Sequence, residues 1–309
     1  MGDKVVYGPV PSRRLGRSLG VDLVPYKICS YDCIYCQIGR TPAPTIERKP
    51  YIPADKVIHD VQEALEDGVT PDYITLGGSG EPTLNSDIGE IITRLKSATD
   101  IPVTVLSNGS ILIFQDVWAD LMAADVVLPS FDACTPEMFQ KINRPCPEIG
   151  FEEMAEGLVH FREAYTGQIW VEIFLIQDLN TADEDIQAFK YWLDRVQPDK
   201  IHLNTAVRPT AEAGISRPSD ARLIQIKQML GDRAEIVVPY QGEAAKSAGS
   251  GINEDLIQLL SRRPCTLKDI AHGLNTHPHE ILKYLEPMVS AGAIEMVRKD
   301  EETYYQRRH

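Results

Sequence analysis

From Ser18 to about Tyr240, short β-rich runs alternate with longer stretches of helical spacing. Runs at Leu19–Val24, Tyr73–Leu76, Val103–Ser107, Val126–Pro129, Ile169–Ile176 and Lys200–Asn204 predict strands, with Ile236–Val238 a candidate seventh. Between them, helical patterns cover Ala54–Glu66, Asp87–Ala98, Gln115–Ala123, Phe151–Ala164, Asp183–Val196 and Asp220–Leu230. Ile88, Ile91, Ile92 and Leu95 carry the spacing of an amphipathic helix. Strict strand–helix alternation implies a parallel sheet with right-handed crossovers. Six units are too few for a closed eight-fold barrel. The predicted fold is therefore α/β: a partial (β/α)6 barrel over residues 1–240, open on one side, with its site at the C-terminal ends of the strands.

Period-two alternation adds the facing of individual side chains. In the run from Trp170 to Ile176, Val171, Ile173 and Leu175 form an aliphatic face for helices, so Glu172 and Phe174 point into the barrel with Trp170. Ile201 and Leu203 likewise face outward and leave His202 and Asn204 inside. A lumenal charge is costly unless paired or used. Glu172 and Asn204 are thus candidates to line a cofactor or substrate chamber, with a buried structural pair as the alternative.

Residues 241–251 are small, polar and glycine-rich, and read as a linker. Residues 252–309 then give three helical patterns, near Glu254–Leu260, Leu267–Leu274 and Pro278–Val289, and a hairpin over Ile294–Gln306. Thr266 with Asp269 forms a capping pair, Pro278 suits a first turn and Gly292 a helix end. Three helices and a hairpin predict a winged helix-turn-helix domain.

The composition is that of a globular chain, 43% hydrophobic and 25% charged, which excludes disorder. No run of eighteen apolar residues exists, so no membrane association is expected. The first residues lack the apolar stretch of a secretory signal, so a cytoplasmic location is expected. The net charge of −14 argues against sequence-independent binding of nucleic acid. That charge is uneven: Met1–Pro50 carries eight basic and four acidic residues, whereas the C-terminal segment from Ile252 carries eight basic and nine acidic. A basic segment on an acidic body marks either a solvated edge or an anion site. Arg13, Arg14 and Arg17 precede the first predicted strand, and are expected to hold an anionic group of a substrate near the barrel mouth.

Cys29, Cys33 and Cys36 fall within eight residues, after that strand, whereas Cys134, Cys146 and Cys265 are scattered. Clustered cysteines in a reducing compartment read as metal-binding or catalytic. Three thiolates on one loop can hold three irons of a cubane and leave the fourth open to a substrate. Zinc needs a fourth ligand, and no His or Cys follows at finger spacing.

The CxxxCxxC spacing, with Tyr35 before the last cysteine, resembles the radical S-adenosylmethionine (SAM) superfamily. Gly77-Gly78-Ser79-Gly80-Glu81-Pro82 ends the second predicted strand, Ser107-Asn108-Gly109 the third and Ser130-Phe131-Asp132 the fourth. The resemblance implies a [4Fe–4S] cluster on Cys29, Cys33 and Cys36, with SAM at its open iron. It also implies a glycine-rich bend, Gly78, Gly80 and Glu81, that approaches the methionine amino group. Tyr35, Ser107, Asn108, Ser130 and Asp132 would then be cofactor contacts, although each strand end alone is an ordinary cap. The segment Gly8–Arg14, the cysteine loop and Gly80–Leu84 are most similar to a branch related to the wybutosine-synthesis enzymes, from which Gln37 departs where that branch carries tryptophan.

Two functions follow. The first is an enzyme that cleaves SAM reductively and abstracts hydrogen from an unidentified substrate (RNA, peptide or small molecule). The resemblance implies an external electron donor for it, such as flavodoxin or ferredoxin. The second is a redox-sensing Fe–S regulator that binds DNA through its winged helix. The SAM-type strand ends favour the enzyme. The predicted third helix carries Glu280 and Glu286 against Lys283, so DNA binding is not expected.

Overall fold

A computed structural model describes residues 4–238, 252–274, 276–300 and 302–308. The predicted linker at 241–251 lies outside the described residues. The chain opens with a strand that the apolar pattern does not reveal. β1 (Val6–Ser12) pairs antiparallel with β2 (Gly16–Asp22), whose start lies three residues before the expected one. The Gly8-Pro9 and Pro11 interruptions mask β1, and they are tolerated because β1 is an edge strand.

From β2 onward the chain alternates as predicted. α1 (Ala54–Glu66) leads to β3 (Tyr73–Gly77), and α2 (Ile88–Ala98) to β4 (Val103–Ser107). α3 (Gln115–Leu121) leads to β5 (Val126–Pro129). Two helices, α4 (Pro136–Ile142) and α5 (Phe151–Ala164), precede β6 (Gln168–Leu175), and α4 was not anticipated. α6 (Asp183–Val196), β7 (Lys200–Thr205), α7 (Asp220–Leu230) and β8 (Ala234–Ile236) complete the series. The eight strands form one sheet in chain order, with β2 to β8 parallel and β1 and β8 at its edges. Six βα units are present, followed by the seventh parallel strand two residues earlier than expected.

The facing of side chains follows the alternation. Val171, Ile173, Leu175, Ile201 and Leu203 are buried in the main apolar core with helix residues such as Ile88, Ile91 and Ile92. Each fully buried aliphatic side chain of this kind contributes roughly 1.5–3 kcal/mol. A smaller cluster of Leu15, Val126, Leu128 and Trp170 fills the other face, so the β1–β2 turn contributes Leu15 to the barrel interior.

The C-terminal unit comprises α8 (Ile252–Arg262), β9 (Cys265–Thr266), α9 (Leu267–Gly273), α10 (Pro278–Ser290), β10 (Ile294–Lys299) and β11 (Glu302–Arg307). Thr266 and Asp269 form the predicted capping box, and Pro278 occupies the first turn of α10. The three strands pair antiparallel in the order β10-β11-β9. The unit has its own apolar cluster, including Leu256, Ile270, Ile281 and Leu285, against which Val10 of β1 packs. No helix among the described residues is long and apolar enough to cross a membrane.

Candidate active site

Cys29, Cys33 and Cys36 are half-buried and free, on the loop that follows β2. Backbone hydrogen bonds stitch this loop to two other segments. Asp32 and Ile34 donate to the carbonyls of Asn143 and Ile142, at 3.0 Å each. Ala211 and Glu212 donate to the carbonyls of Cys36 and Ile34, at 2.8 and 3.0 Å. Each sulfur has a donor beside it. Lys27 Nζ lies 3.3 Å from Cys36 Sγ, Asn108 Nδ2 3.5 Å from Cys29 Sγ and Asn143 Nδ2 3.6 Å from Cys33 Sγ. Burial, followed by the charge of Glu81, pushes the Cys29 thiol up to about 12. Burial, then Cys29, raises Cys33 well above its ordinary value. Metal binding must therefore displace protons from these thiols.

The donor set fits a multinuclear cluster better than a single ion. Among the described residues, only His59, Asp60 and Glu63 bring three such ligand atoms within 4.8 Å of one another. Bonds of about 2.3 Å to one zinc ion would draw sulfurs to roughly 4 Å apart. The three cysteines are more widely set, they are the thiolate type a cubane requires, and donors to sulfur accompany them.

The glycine-rich turn is locked to the cysteine loop. Lys27 N donates to Ser79 O at 2.8 Å, and Glu81 N to Ile28 O at 2.9 Å. Gly78 has φ +101°, and a Cβ there would strike the carboxylate of Asp22; a Cβ on Gly80 would strike the Ile28 carbonyl. The missing side chains thus admit Asp22 and the Ile28 carbonyl, and set the glycine-rich turn against the end of β2 and the cysteine loop.

The remaining predicted residues fall into two groups. Glu81 is buried and its carboxylate is saturated by the chain: Thr83 N, Thr83 Oγ1 and Ser107 Oγ donate to Oε1, and Asn108 N donates to Oε2 at 2.6 Å. Glu81 and Ser107 therefore aim Asn108, whose Nδ2 also reaches Ser30 Oγ at 2.9 Å. Asp132 is likewise buried and saturated, accepting from Phe174 N (2.8 Å), Asn143 Nδ2 (3.0 Å) and Tyr35 Oη. Burial raises its carboxyl to about 6. Tyr35 stacks on Phe174 with centroids 4.1 Å apart. Ser130 is half-buried at the end of β5, bridged to Glu172.

Further into the barrel, Arg14 pairs with Glu172 and Arg13 Nη2 donates to Asn204 Oδ1 at 2.9 Å. These four residues come together as a charged lining. Arg17 does not join them. It sits at the start of β2, away from the cysteine loop, and its guanidinium pairs with Asp72 at 2.8 Å. Arg14 lies in the β1–β2 turn and Arg17 in β2 itself, so the structure brings Arg13 and Arg14, but not Arg17, to Glu172 and Asn204.

Sequence reading missed Lys27, Asn143 and the Asp22–Arg262 pair. Asn143 was visible only as part of the stretch between Cys134 and Cys146, and nothing local marks the other two.

A family model, Radical SAM superfamily, matches residues 23–189, just over half of the chain and from the cysteine loop to α6. The chain belongs to the radical SAM superfamily. Members use a [4Fe–4S] cluster and SAM. A UPF0026 protein of Methanocaldococcus jannaschii is 29% identical over 308 residues, 97% of this chain and 95% of that protein. A UPF0026 protein of Helicobacter pylori (strain 26695) is 31% identical over 292 residues, 93% of this chain and 92% of that one. A Brachyspira hyodysenteriae protein named GTPase Obg is 38% identical over 294 residues, 94% of this chain, but the chain spans only 43% of its length. Among solved structures, a radical SAM methyltransferase from Sphaerobacter thermophilus aligns with TM-score 0.53 and 18% identity, covering 71% of this chain and 65% of that one. The hydrogenase maturase HydG of Carboxydothermus hydrogenoformans aligns at 0.51 and 16%, covering 72% and 52%. These likenesses establish the fold.

Proposed function

We propose that Cys29, Cys33 and Cys36 hold three irons of a [4Fe–4S] cluster, and that the chain abstracts hydrogen from a substrate bound in the barrel. When bound, the cluster and SAM supply reductive cleavage of SAM to methionine and a 5′-deoxyadenosyl radical. The chain's own residues supply placement. Lys27, Asn108 and Asn143 stand beside the three sulfurs, where hydrogen bonds tune a cluster. Glu81 fixes Asn108 through its backbone, and Asp132 fixes Asn143 and Tyr35. The turn Gly78-Ser79-Gly80 presents backbone groups beside the cysteine loop, as a SAM amino group would require. Arg13, Arg14, Glu172 and Asn204 form the polar lining for substrate. An external flavodoxin or ferredoxin is the proposed reductant.

The observation that carries this reading is the pairing of three free thiols with the glycine-rich turn across the Lys27–Ser79 and Ile28–Glu81 hydrogen bonds. The motif residues at Gly8–Arg14 and Gly80–Leu84 support kinship with the wybutosine-related branch. The C-terminal unit is proposed to be a winged helix that covers the open flank. Its hairpin supports that role, since Lys299 Nζ donates to Ala206 O and Arg208 O at 3.0 and 2.8 Å, and Tyr304 Oη to Val207 O at 2.9 Å. Anaerobic reconstitution with iron and sulfide, then dithionite and SAM, should yield 5′-deoxyadenosine. An intact cubane that leaves SAM uncleaved would overturn the proposal.

A further inference from the structure

The segment that follows β7 is tied down at two places. First it meets the C-terminal hairpin: Lys299 Nζ donates to the carbonyls of Ala206 and Arg208 at 3.0 and 2.8 Å, and Tyr304 Oη to that of Val207 at 2.9 Å. It then meets the cysteine loop, where Ala211 N donates to Cys36 O at 2.8 Å and Glu212 N to Ile34 O at 3.0 Å. Only Pro209 and Thr210 lie between the two sets of contacts. The proline ring fixes its own φ, and Thr210 Oγ1 donates to Glu212 O at 2.8 Å. The link is short and stiff.

Glu212 adds its side chain to the same junction. Its Oε1 accepts from Arg40 Nη1 at 2.8 Å and also from Arg144. Arg40 reaches on to Asp32, through Nε at 2.8 Å and Nη2 at 2.6 Å. Asp32 stands directly before Cys33 in the loop and is buried, and its other oxygen accepts from Thr41 N at 2.7 Å. Arg144 follows Asn143, whose Nδ2 stands 3.6 Å from Cys33 Sγ. It holds φ +46°, a left-handed conformation that a residue other than glycine keeps only where its surroundings fix it. One carboxylate thus reaches the cysteine loop through Arg40 and the donor to Cys33 through Arg144. Exposed ion pairs contribute little singly. Here two guanidiniums share an acceptor whose backbone is already hydrogen-bonded to the loop, so the contacts act as a network.

We propose that Glu212 is a positioning residue for the cysteine loop, and that the C-terminal hairpin seats it through a strap formed by residues 206–212. A cluster on that loop rests on the enzymatic reading above; the strap does not. The C-terminal unit then sets how firmly the loop is held, besides covering the flank. Glu212→Gln acts on a bound cluster in two opposite senses. Loss of a negative charge by itself eases reduction and raises the potential. Release of Asn143 from Cys33 takes a hydrogen bond from sulfur and lowers it. The Glu212 side chain is one-third exposed, so solvent screens its charge and the lowering prevails.

The test is hydrogen–deuterium exchange resolved to single amides, on the protein before and after anaerobic reconstitution with iron and sulfide. In Lys299→Met/Tyr304→Phe, the Ala211 and Glu212 amides should exchange roughly tenfold faster than in the parent, while that of Val105 in β4 keeps its parent rate. Arg298→Gln, at an exposed position of the same hairpin, should leave all three unchanged. If the double variant does not fold, Tyr304→Phe alone removes one hydrogen bond without altering charge and should move the same amides in the same direction. In Glu212→Gln, the Asp32 and Ile34 amides, which donate to the carbonyls of residues 142–144, should also exchange roughly tenfold faster. Parent rates at residues 211 and 212 in a folded hairpin variant overturn the strap, and parent rates at residues 32 and 34 in Glu212→Gln overturn the positioning role. Redox titration of the reconstituted protein gives a second reading. Glu212→Gln should lower the cluster potential, and adding it to Asn143→Ala should lower it no further, because both act at Cys33. A raised potential or additive shifts overturn the positioning role. If the parent assembles no cubane, the enzymatic reading fails, and exchange in the unreconstituted protein still decides the strap and Glu212.

Discussion

Arg262 and Asp22, 240 residues apart in the chain, share one part-buried ion pair: Nε and Nη2 donate to the same carboxylate oxygen at 3.0 and 2.5 Å. The other oxygen of Asp22 accepts from Ser79 N at 3.0 Å, and the Arg262 guanidinium lies 3.8 Å from the Tyr7 ring centroid. One carboxylate therefore connects the C-terminal unit to the glycine-rich turn. Arg262→Gln leaves the part-buried Asp22 without its counter-charge and should cost roughly 1–3 kcal/mol of unfolding free energy in urea. The double variant with Asp22→Asn should lose less than the sum of the singles, because the pair is coupled. Additive losses would show that the two residues act independently.

Alanine at Cys29, Cys33 or Cys36 should abolish cubane assembly, read as iron and sulfide per chain and by electron paramagnetic resonance. Cys265→Ala should retain the full cluster, since Cys265 is completely buried in the C-terminal apolar cluster. A normal cubane after loss of any one of the three loop cysteines would contradict the ligand assignment.

Asn143→Ala removes the donor beside Cys33 Sγ, and one of the three donors to Asp132. A sulfur that loses a hydrogen bond holds more electron density, so the cluster potential should become more negative. Redox titration monitored by electron paramagnetic resonance reads the shift. Asn108→Ala should shift it in the same direction through Cys29.

His202 is buried in the barrel, where burial, then the charge of Arg14, lowers its pKa to about 4. The unfolded chain takes up this proton first, so the neutral ring contributes stability above pH 6.5 that is lost as pH falls toward 4. The stability difference between parent and His202→Leu should therefore grow by up to about 3 kcal/mol as pH rises from 4 to 6.5. Asp132 works in the opposite sense. Its raised carboxyl contributes stability below the unfolded value, lost as pH rises through about 6. The parent-minus-variant difference for Asp132→Asn should fall over that window. Denaturant melts at stepped pH measure both slopes, and a flat difference for His202→Leu would contradict its burial as a neutral ring.

The protein should bind duplex DNA no more tightly than about 10⁻⁵ M at physiological salt, the range of non-specific contacts. On α10, Lys283 is paired with Glu280 at 2.5 Å, and on the hairpin Lys299 is held by barrel carbonyls. Sub-micromolar, sequence-dependent binding in a fluorescence anisotropy titration would reinstate the regulator.

Much of the barrel was legible because its strands are two-faced. Val171, Ile173 and Leu175 could face only helices, which puts Glu172 inside, where it meets Arg14. β1 was not legible: its prolines break the alternation, and its place at the sheet edge comes from pairing with β2, which no local signal encodes. The cysteine loop and the strand ends were legible as motifs. Their partners were not, because Asn143, Lys27 and Arg262 reach the site through tertiary folding. Arg17 shows the converse hazard. It stands three residues from Arg14, yet it lies in β2, beyond the turn that carries Arg14, and pairs with Asp72.

The packing of the C-terminal unit on β1 bears on how the chain can be divided. β1 is an edge of the eight-stranded sheet, with Val10 against the second apolar cluster and Tyr7 beneath Arg262. A shortened chain that stops before Ile252 would present those side chains, and an uncompensated Asp22, to water. Apolar surface along a sheet edge invites pairing with another copy. The barrel alone should therefore self-associate and precipitate, so solubility during expression becomes a direct gauge of how tightly the two halves belong together.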